Sequence, residues 1–152
     1  MSAIEEAAVP ARVLFACTSN AIRSPMAEAL LRLRFGPLVT VESVGVRPAE
    51  EVDYMAAVVV DELGAELAGH RPRGFDALEE GGGWDLIVSL SPEAHHHALE
   101  LVPRLAAAAE YWPTRDPSVA EGSRDQRLME YREVRDALAR RIDQRFPRPS
   151  TG

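Results

Sequence analysis

Val13-Leu14-Phe15-Ala16-Cys17-Thr18-Ser19-Asn20-Ala21-Ile22-Arg23-Ser24-Pro25-Met26-Ala27-Glu28 is the stretch on which the fold turns. Its first four residues form a continuous apolar run, the pattern of a buried strand. Ser24-Pro25 reads as a helix start, with Ser24 as N-cap and Pro25 as the first helical residue. Thr18 to Ile22 remain as a tight loop whose backbone N–H groups can face one point. Such a ring beside a helix N-terminus holds anions, and a guanidinium clamps them in bidentate fashion. Cys17 is the only cysteine in the chain, and Arg23 follows it six positions later. A thiol in these surroundings is favoured as a thiolate, the form that acts as nucleophile. The stretch therefore predicts a nucleophile lying beneath a bound anion.

Outward from it, strand-like and helix-like segments alternate. Arg12–Ala16 is predicted as the first strand and Ser24–Phe35 as a helix with Met26, Leu30 and Leu33 on one side. Val39–Val44 reads as a second strand, and Val52–Leu67 as a helix carrying Met55, Val59, Leu63 and Leu67 at helical spacing. Gly69–Gly83, with Pro72 and Gly81-Gly82-Gly83, reads as a flexible surface connection. Trp84–Leu90 is the third strand, Pro92–Leu101 a helix and Ala109–Trp112 a short fourth strand. A last helix spans Ser123–Phe146, opened by the capping-box pair Ser123 and Gln126, with Leu128, Tyr131, Val134, Leu138 and Ile142 as its core stripe. The alternation predicts an α/β fold: three layers, a four-stranded parallel sheet with helices on both faces, and a phosphate-binding loop after strand 1.

The chain has 152 residues, which fits one domain over residues 11–147, with 1–10 and 148–152 as loose tails. Its formal charge of -7 argues against broad binding to nucleic acid or anionic membranes. A single cysteine excludes an internal disulfide and suits a reducing cytoplasm. The acidic first ten residues do not form a signal peptide, and no apolar stretch approaches the roughly 20 residues of a membrane helix.

Ligands of parallel sheets bind beyond the C-terminal strand ends. Two segments must converge there: the loop from Cys17, and Pro113-Thr114-Arg115-Asp116-Pro117 after strand four. The second delivers a carboxylate on a stiff turn. A nucleophile, an anion cradle and a separate acid are the parts of covalent phosphoryl transfer. Each part also has a plainer reading. A lone cysteine at a strand end can be a small core residue, and Asp-Pro can be a simple turn. His95-His96-His97 invites a metal reading, but adjacent helical residues point in different directions, which favours a solvated face. Trp84 and Trp112 read as core, Arg47 as a candidate for the cleft rim or an ordinary surface arginine, and Arg140-Arg141 as an exposed face.

With Cys17-x5-Arg23-Ser24-Pro25 directly after the first strand, Asn20 within the loop, Ser-Pro-Met-Ala-Glu after it and Asp116-Pro117 about ninety residues on, the chain resembles the low-molecular-weight protein tyrosine phosphatases. Thioredoxin-coupled arsenate reductases share that fold and loop. The resemblance covers roughly Arg12 to Phe146. It implies Cys17 as nucleophile, Arg23 as phosphate clamp and Asp116 as general acid, with Thr18, Ser19, Asn20, Ala21, Ile22, Arg23 and Ser24 as the phosphate-binding loop. Asn20 and Ser24 would shape that loop and stabilise the thiolate; no metal or other cofactor is required.

Departures from the family are visible. Ser19 stands where glycine is usual, Ile22 where a second cysteine is frequent, and Ser118-Val119 where phosphotyrosine enzymes place aromatics. Trp112 to Ile142 looks closer to the arsenate-reductase branch, yet the chain lacks the further cysteines that thioredoxin-coupled enzymes use. Three functions follow as expectations. The first is a cysteine-dependent phosphomonoester hydrolase acting on a phosphorylated protein or small molecule through a phosphocysteine. The second is an arsenate reductase using an external small thiol. The third is a catalytically weak phosphate- or phosphoprotein-binding module.

Overall fold

The structure is a computed structural model and describes residues 10–67, 69–78, 83–105 and 107–147. Both expected tails, apart from Pro10, lie outside the described residues. Strands β1 (Arg12–Cys17), β2 (Thr40–Gly45), β3 (Leu86–Ser89) and β4 (Ala108–Tyr111) form one sheet in the order β2-β1-β3-β4, all parallel. Helices α1 (Arg23–Phe35), α2 (Tyr54–Asp61), α3 (Pro92–Leu105) and α4 (Arg124–Arg145) alternate with them. The expected fold class is therefore the observed one.

The two-residue repeat of a strand divides β1 between two cores. Val13, Phe15 and Cys17 join the larger core with residues of α1, α2 and α4, while Leu14 and Ala16 join Ala94 and Ala98 of α3 on the opposite face. Helices covering both faces explain why β1 is apolar without alternation. From β1 the chain passes first to β2 on one side and later to β3 on the other. Such a reversal opens a crevice at the carboxyl end of β1, where Cys17 lies.

The capping box of α4 forms as expected: Gln126 N donates to Ser123 Oγ (3.1 Å) and Ser123 N to Gln126 Oε1 (2.8 Å). Its stripe of Leu128, Tyr131, Val134, Leu138 and Ile142 is buried. Burying each such side chain contributes about 1.5–3 kcal/mol, and truncating Leu138 to alanine costs about 2–5 kcal/mol. Trp84 and Trp112 are core residues, as expected.

Other boundaries differ. Helix α2 covers Tyr54–Asp61 rather than 52–67. Asp53 caps its start, and Gly64, at φ 90°, closes its end: Ala65 N donates to Val60 O and Gly64 N to Asp61 O, a Schellman arrangement. Leu63 is consequently exposed, as is Leu33 on α1. Helix α3 runs on to Leu105 with Pro103 in its last turns. The segment expected to be a flexible connection is partly ordered: Gly74 bridges to Gly45 beside β2, and Phe75–Ala77 form a 3-10 turn. Gly81 and Gly82 lie outside the described residues. The three histidines diverge: His95 stacks on Tyr111, His96 meets Glu100 and His97 packs on Phe75.

Candidate active site

The loop after β1 is oriented by its carbonyls. Cys17 O, Thr18 O, Ser19 O and Ala21 O accept hydrogen bonds from Val46, Arg47, Ala49 and Asp53 N at 3.1, 2.8, 2.9 and 3.0 Å. In a trans peptide the carbonyl of one residue and the N–H of the next point in opposite directions. Carbonyls committed to the segment after β2 therefore turn the N–H groups of Thr18, Ser19, Asn20 and Ile22 to the opposite side. One of these is already engaged, since Asn20 N donates to Cys17 Sγ at 3.2 Å. Cys17 is 1% exposed, so the sulfur forms the floor of the cradle.

Asn20 is the centre of the cradle. Its φ of 53° lies in the left-handed region, where asparagine is among the tolerated side chains. Ser19, which replaces the expected glycine, does not have positive φ, so its position makes no conformational demand for glycine. Asn20 Oδ1 accepts from Arg73 N at 2.9 Å and meets His70 Nε2 at 3.0 Å. A backbone N–H can only donate, so the amide orientation is fixed and Nδ2 is the group facing Ser24 Oγ and Ser43 Oγ, both at 2.9 Å. Ser43 in turn donates to Glu28 Oε1 at 2.6 Å.

Ser24 corrects the sequence reading. Helix α1 begins at Arg23, with Ile22 as N-cap and no side-chain cap. The Ser24 hydroxyl instead sits 2.9 Å from Cys17 Sγ and 3.3 Å from Val44 O. A hydroxyl has one hydrogen. It can donate to Val44 O while a thiol donates to Ser24, or donate to sulfur once the thiol has lost its proton. Both forms of Cys17 are accommodated without moving an atom of the framework.

Arg23 leans toward the second loop, donating Nη1 to Thr114 O at 2.9 Å. Thr114 N is held by Leu90 O at the end of β3. Asp116 lies two residues on, with Oδ1 accepting from Ser118 N (2.9 Å) and Ser118 Oγ (2.7 Å). The structure thus brings Cys17, Asn20 and Ser24 into direct contact, and links Arg23 to the loop of Asp116. The carboxylate of Asp116 itself bonds to none of them among the described contacts.

Several site residues carry no local signal in the sequence. Tyr131, from α4, donates to Asp53 Oδ2 at 3.1 Å, and Asp53 N donates to Ala21 O, which ties the last helix to the cradle. Burial and the Asp53 carboxylate, with a contribution from Asp116, push the Tyr131 phenol well above its ordinary value, so it remains a donor. His70 is pushed down by burial, against the raising effect of Glu28. Both side chains become members of the site only through tertiary contact. Arg47 does stand on the rim, and its side chain pairs with Glu93.

Residues 12–148 match the model of the low molecular weight phosphotyrosine protein phosphatases. An arsenate reductase of Halalkalibacterium halodurans is 30% identical over 134 residues, covering 86% of this chain and 91% of that protein. A low molecular weight protein-tyrosine-phosphatase of Streptomyces coelicolor is 36% identical over 129 residues, covering 75% and 74%. Among solved structures, an arginine phosphatase from Geobacillus stearothermophilus superposes with a TM-score of 0.70 at 30% identity, covering 89% of this chain and 90% of that one. With the family model spanning residues 12–148, nearly the whole chain, the protein belongs to the low molecular weight phosphotyrosine protein phosphatase family.

Proposed function

We propose that the protein is a cysteine-dependent phosphomonoester hydrolase working through a phosphocysteine, within a single domain of residues 11–147 in the cytoplasm. The observation that carries this reading is Cys17 at the floor of a loop whose N–H groups are turned inward. Thr18 to Ser24 bind the phosphoryl oxygens, with Arg23 supplying Nε and Nη2, the nitrogens not engaged with Thr114. The Cys17 thiolate attacks phosphorus in line as the bond to the leaving atom breaks, and Asp116 gives that atom a proton. Asp116, now a carboxylate, takes a proton from water; the resulting hydroxide attacks phosphorus and Cys17 leaves as thiolate. Asn20 and Ser24 donate hydrogen bonds that shape the loop and stabilise that thiolate. No step calls on a metal.

A second reading, arsenate reduction with an external small thiol, is supported by relatives named arsenate reductase that align with 86% of the chain. In that route Cys17 displaces hydroxide from arsenate, a small thiol attacks the Cys17 sulfur so that arsenite leaves with the electron pair of the S–As bond, and a second small thiol frees Cys17 from the resulting mixed disulfide. Ile22 and the absence of any second cysteine deny the protein an internal disulfide relay. Purified protein supplied with an aryl phosphate, and separately with arsenate plus thioredoxin, glutathione or mycothiol, distinguishes the two. Aryl phosphate turnover lost in Cys17→Ser is the expected result. Arsenate turnover with a small thiol alongside inert aryl phosphates would install the second reading, and sustained turnover with thioredoxin alone contradicts both.

A further inference from the structure

Beside Thr18, the first residue of the cradle, an ion pair stands on the rim. Arg47 Nη1 donates to Glu93 Oε2 at 2.7 Å and Nη2 to Oε1 at 3.1 Å. Each partner is anchored to the site. Arg47 N donates to Thr18 O at 2.8 Å, and Glu93 lies in the first turn of α3, two residues after Ser91, whose hydroxyl accepts from Thr18 Oγ1 at 3.0 Å. Both side chains are open to solvent, 66% for Arg47 and 50% for Glu93, and therefore reachable by a ligand.

The two ends of the pair are not equivalent. Both carboxylate oxygens accept from Arg47, and Oε1, held at the longer 3.1 Å, also lies 3.5 Å from Thr18 Oγ1, so it is the oxygen nearer the cradle. With both terminal nitrogens of Arg47 directed at the carboxylate, the pair turns its negative end, Oε1, toward Thr18. A hydrogen bond from Arg47 holds the Glu93 carboxyl below the ordinary carboxylate range, and Thr18 and Arg23 add to this.

We propose that Glu93, restrained by Arg47, is a specificity-determining residue that reads the charge of the group attached to the phosphoryl: it disfavours a second anion beside the phosphate and favours a cationic one. The proposal deepens the hydrolase reading and rests on it. A carboxylate on the substrate would meet Oε1 as a like charge, while an ammonium or guanidinium would find an acceptor there. Arg47 moderates both effects, so removing its side chain should enlarge them.

The test uses ligands that bind without turnover. Benzylphosphonate, 4-carboxybenzylphosphonate and 4-(aminomethyl)benzylphosphonate are titrated calorimetrically into wild-type protein, Glu93→Gln and Arg47→Ala. Wild type should favour the amine over the carboxylate, Glu93→Gln should reduce that ratio by roughly 2- to 5-fold, as expected for an exposed charge pair, and Arg47→Ala should enlarge it. Unchanged ratios, with benzylphosphonate itself still binding all three proteins, would overturn the proposal and leave the hydrolase reading standing. Failure of wild type to bind benzylphosphonate at all would remove the cradle, and this inference with it.

Discussion

A β-carbon placed on Gly45 would lie 2.7 Å from Asn20 N and 2.9 Å from Asn20 Cβ, so the cradle closes against a bare strand residue. The register makes the approach unavoidable, because Gly45 sits opposite Cys17 at the end of the β1–β2 ladder. The contacting atoms are backbone and the first side-chain carbon, which cannot rotate away.

Gly45→Ala should therefore displace the loop rather than be absorbed. The expected cost is about 1–3 kcal/mol, the usual range for forcing a methyl into packed space, or roughly 2–12 °C in Tm for a domain of this size. Phosphate affinity should fall with it although every cradle side chain is retained. Thermal unfolding and phosphate titration together check this; wild-type affinity would show that the loop does not depend on the close approach.

His70 predicts a pH dependence of stability. Burial lowers its folded value below 6.5, so the unfolded chain takes up the proton first as pH falls. Stability rises with pH wherever the unfolded state binds more protons. The contribution should be fully present above about 6.5, the unfolded value, and decline as pH drops from there toward the folded value. Denaturant unfolding from pH 5 to 7.5 should show this slope, and His70→Gln should flatten it. A slope of opposite sign would mean that Glu28, 3.7 Å from Nδ1, outweighs burial.

Asp116→Asn should slow release of a basic phenoxide or alkoxide by about 10²–10⁴-fold, the usual worth of a general acid. A nitrophenolate needs less protonation, so its phosphorylation step should suffer less. Single-turnover kinetics across a leaving-group series provides the measurement, because hydrolysis of the intermediate can slow as well. Equal losses in the phosphorylation step would reduce Asp116 to its bond with Ser118 and a structural role.

The legible parts of this protein were those written into contiguous residues. The apolar run of β1, the Ser123–Gln126 cap and the α4 stripe are local patterns, and each appears where its pattern lies. Gly64 was a readable stop for α2, but the apolar spacing of Leu63 and Leu67 continued past it and carried the expected helix too far. Ser24 was misread because a serine before proline has two uses, and only the fold, by bringing Val44 and Cys17 alongside, decides against the cap. Ser43, His70 and Tyr131 are separated from Cys17 by tens of residues, and no spacing rule connects them. Gly45 belongs with them, since its requirement comes from Ser19 and Asn20 in the loop that follows the neighbouring strand.

The bond from Arg23 Nη1 to Thr114 O joins the proposed anion clamp to the loop of the candidate acid. Two equilibria sharing one guanidinium obey reciprocity: whatever factor a bound anion applies to the Arg23–Thr114 contact, that contact applies to the affinity for the anion. A substitution near Thr114 that touches no ligand should thus register as a change in inhibition by inorganic phosphate. Conversely, phosphate should slow amide exchange in that loop by the matching factor, which makes exchange protection a gauge of clamp occupancy that needs no catalysis.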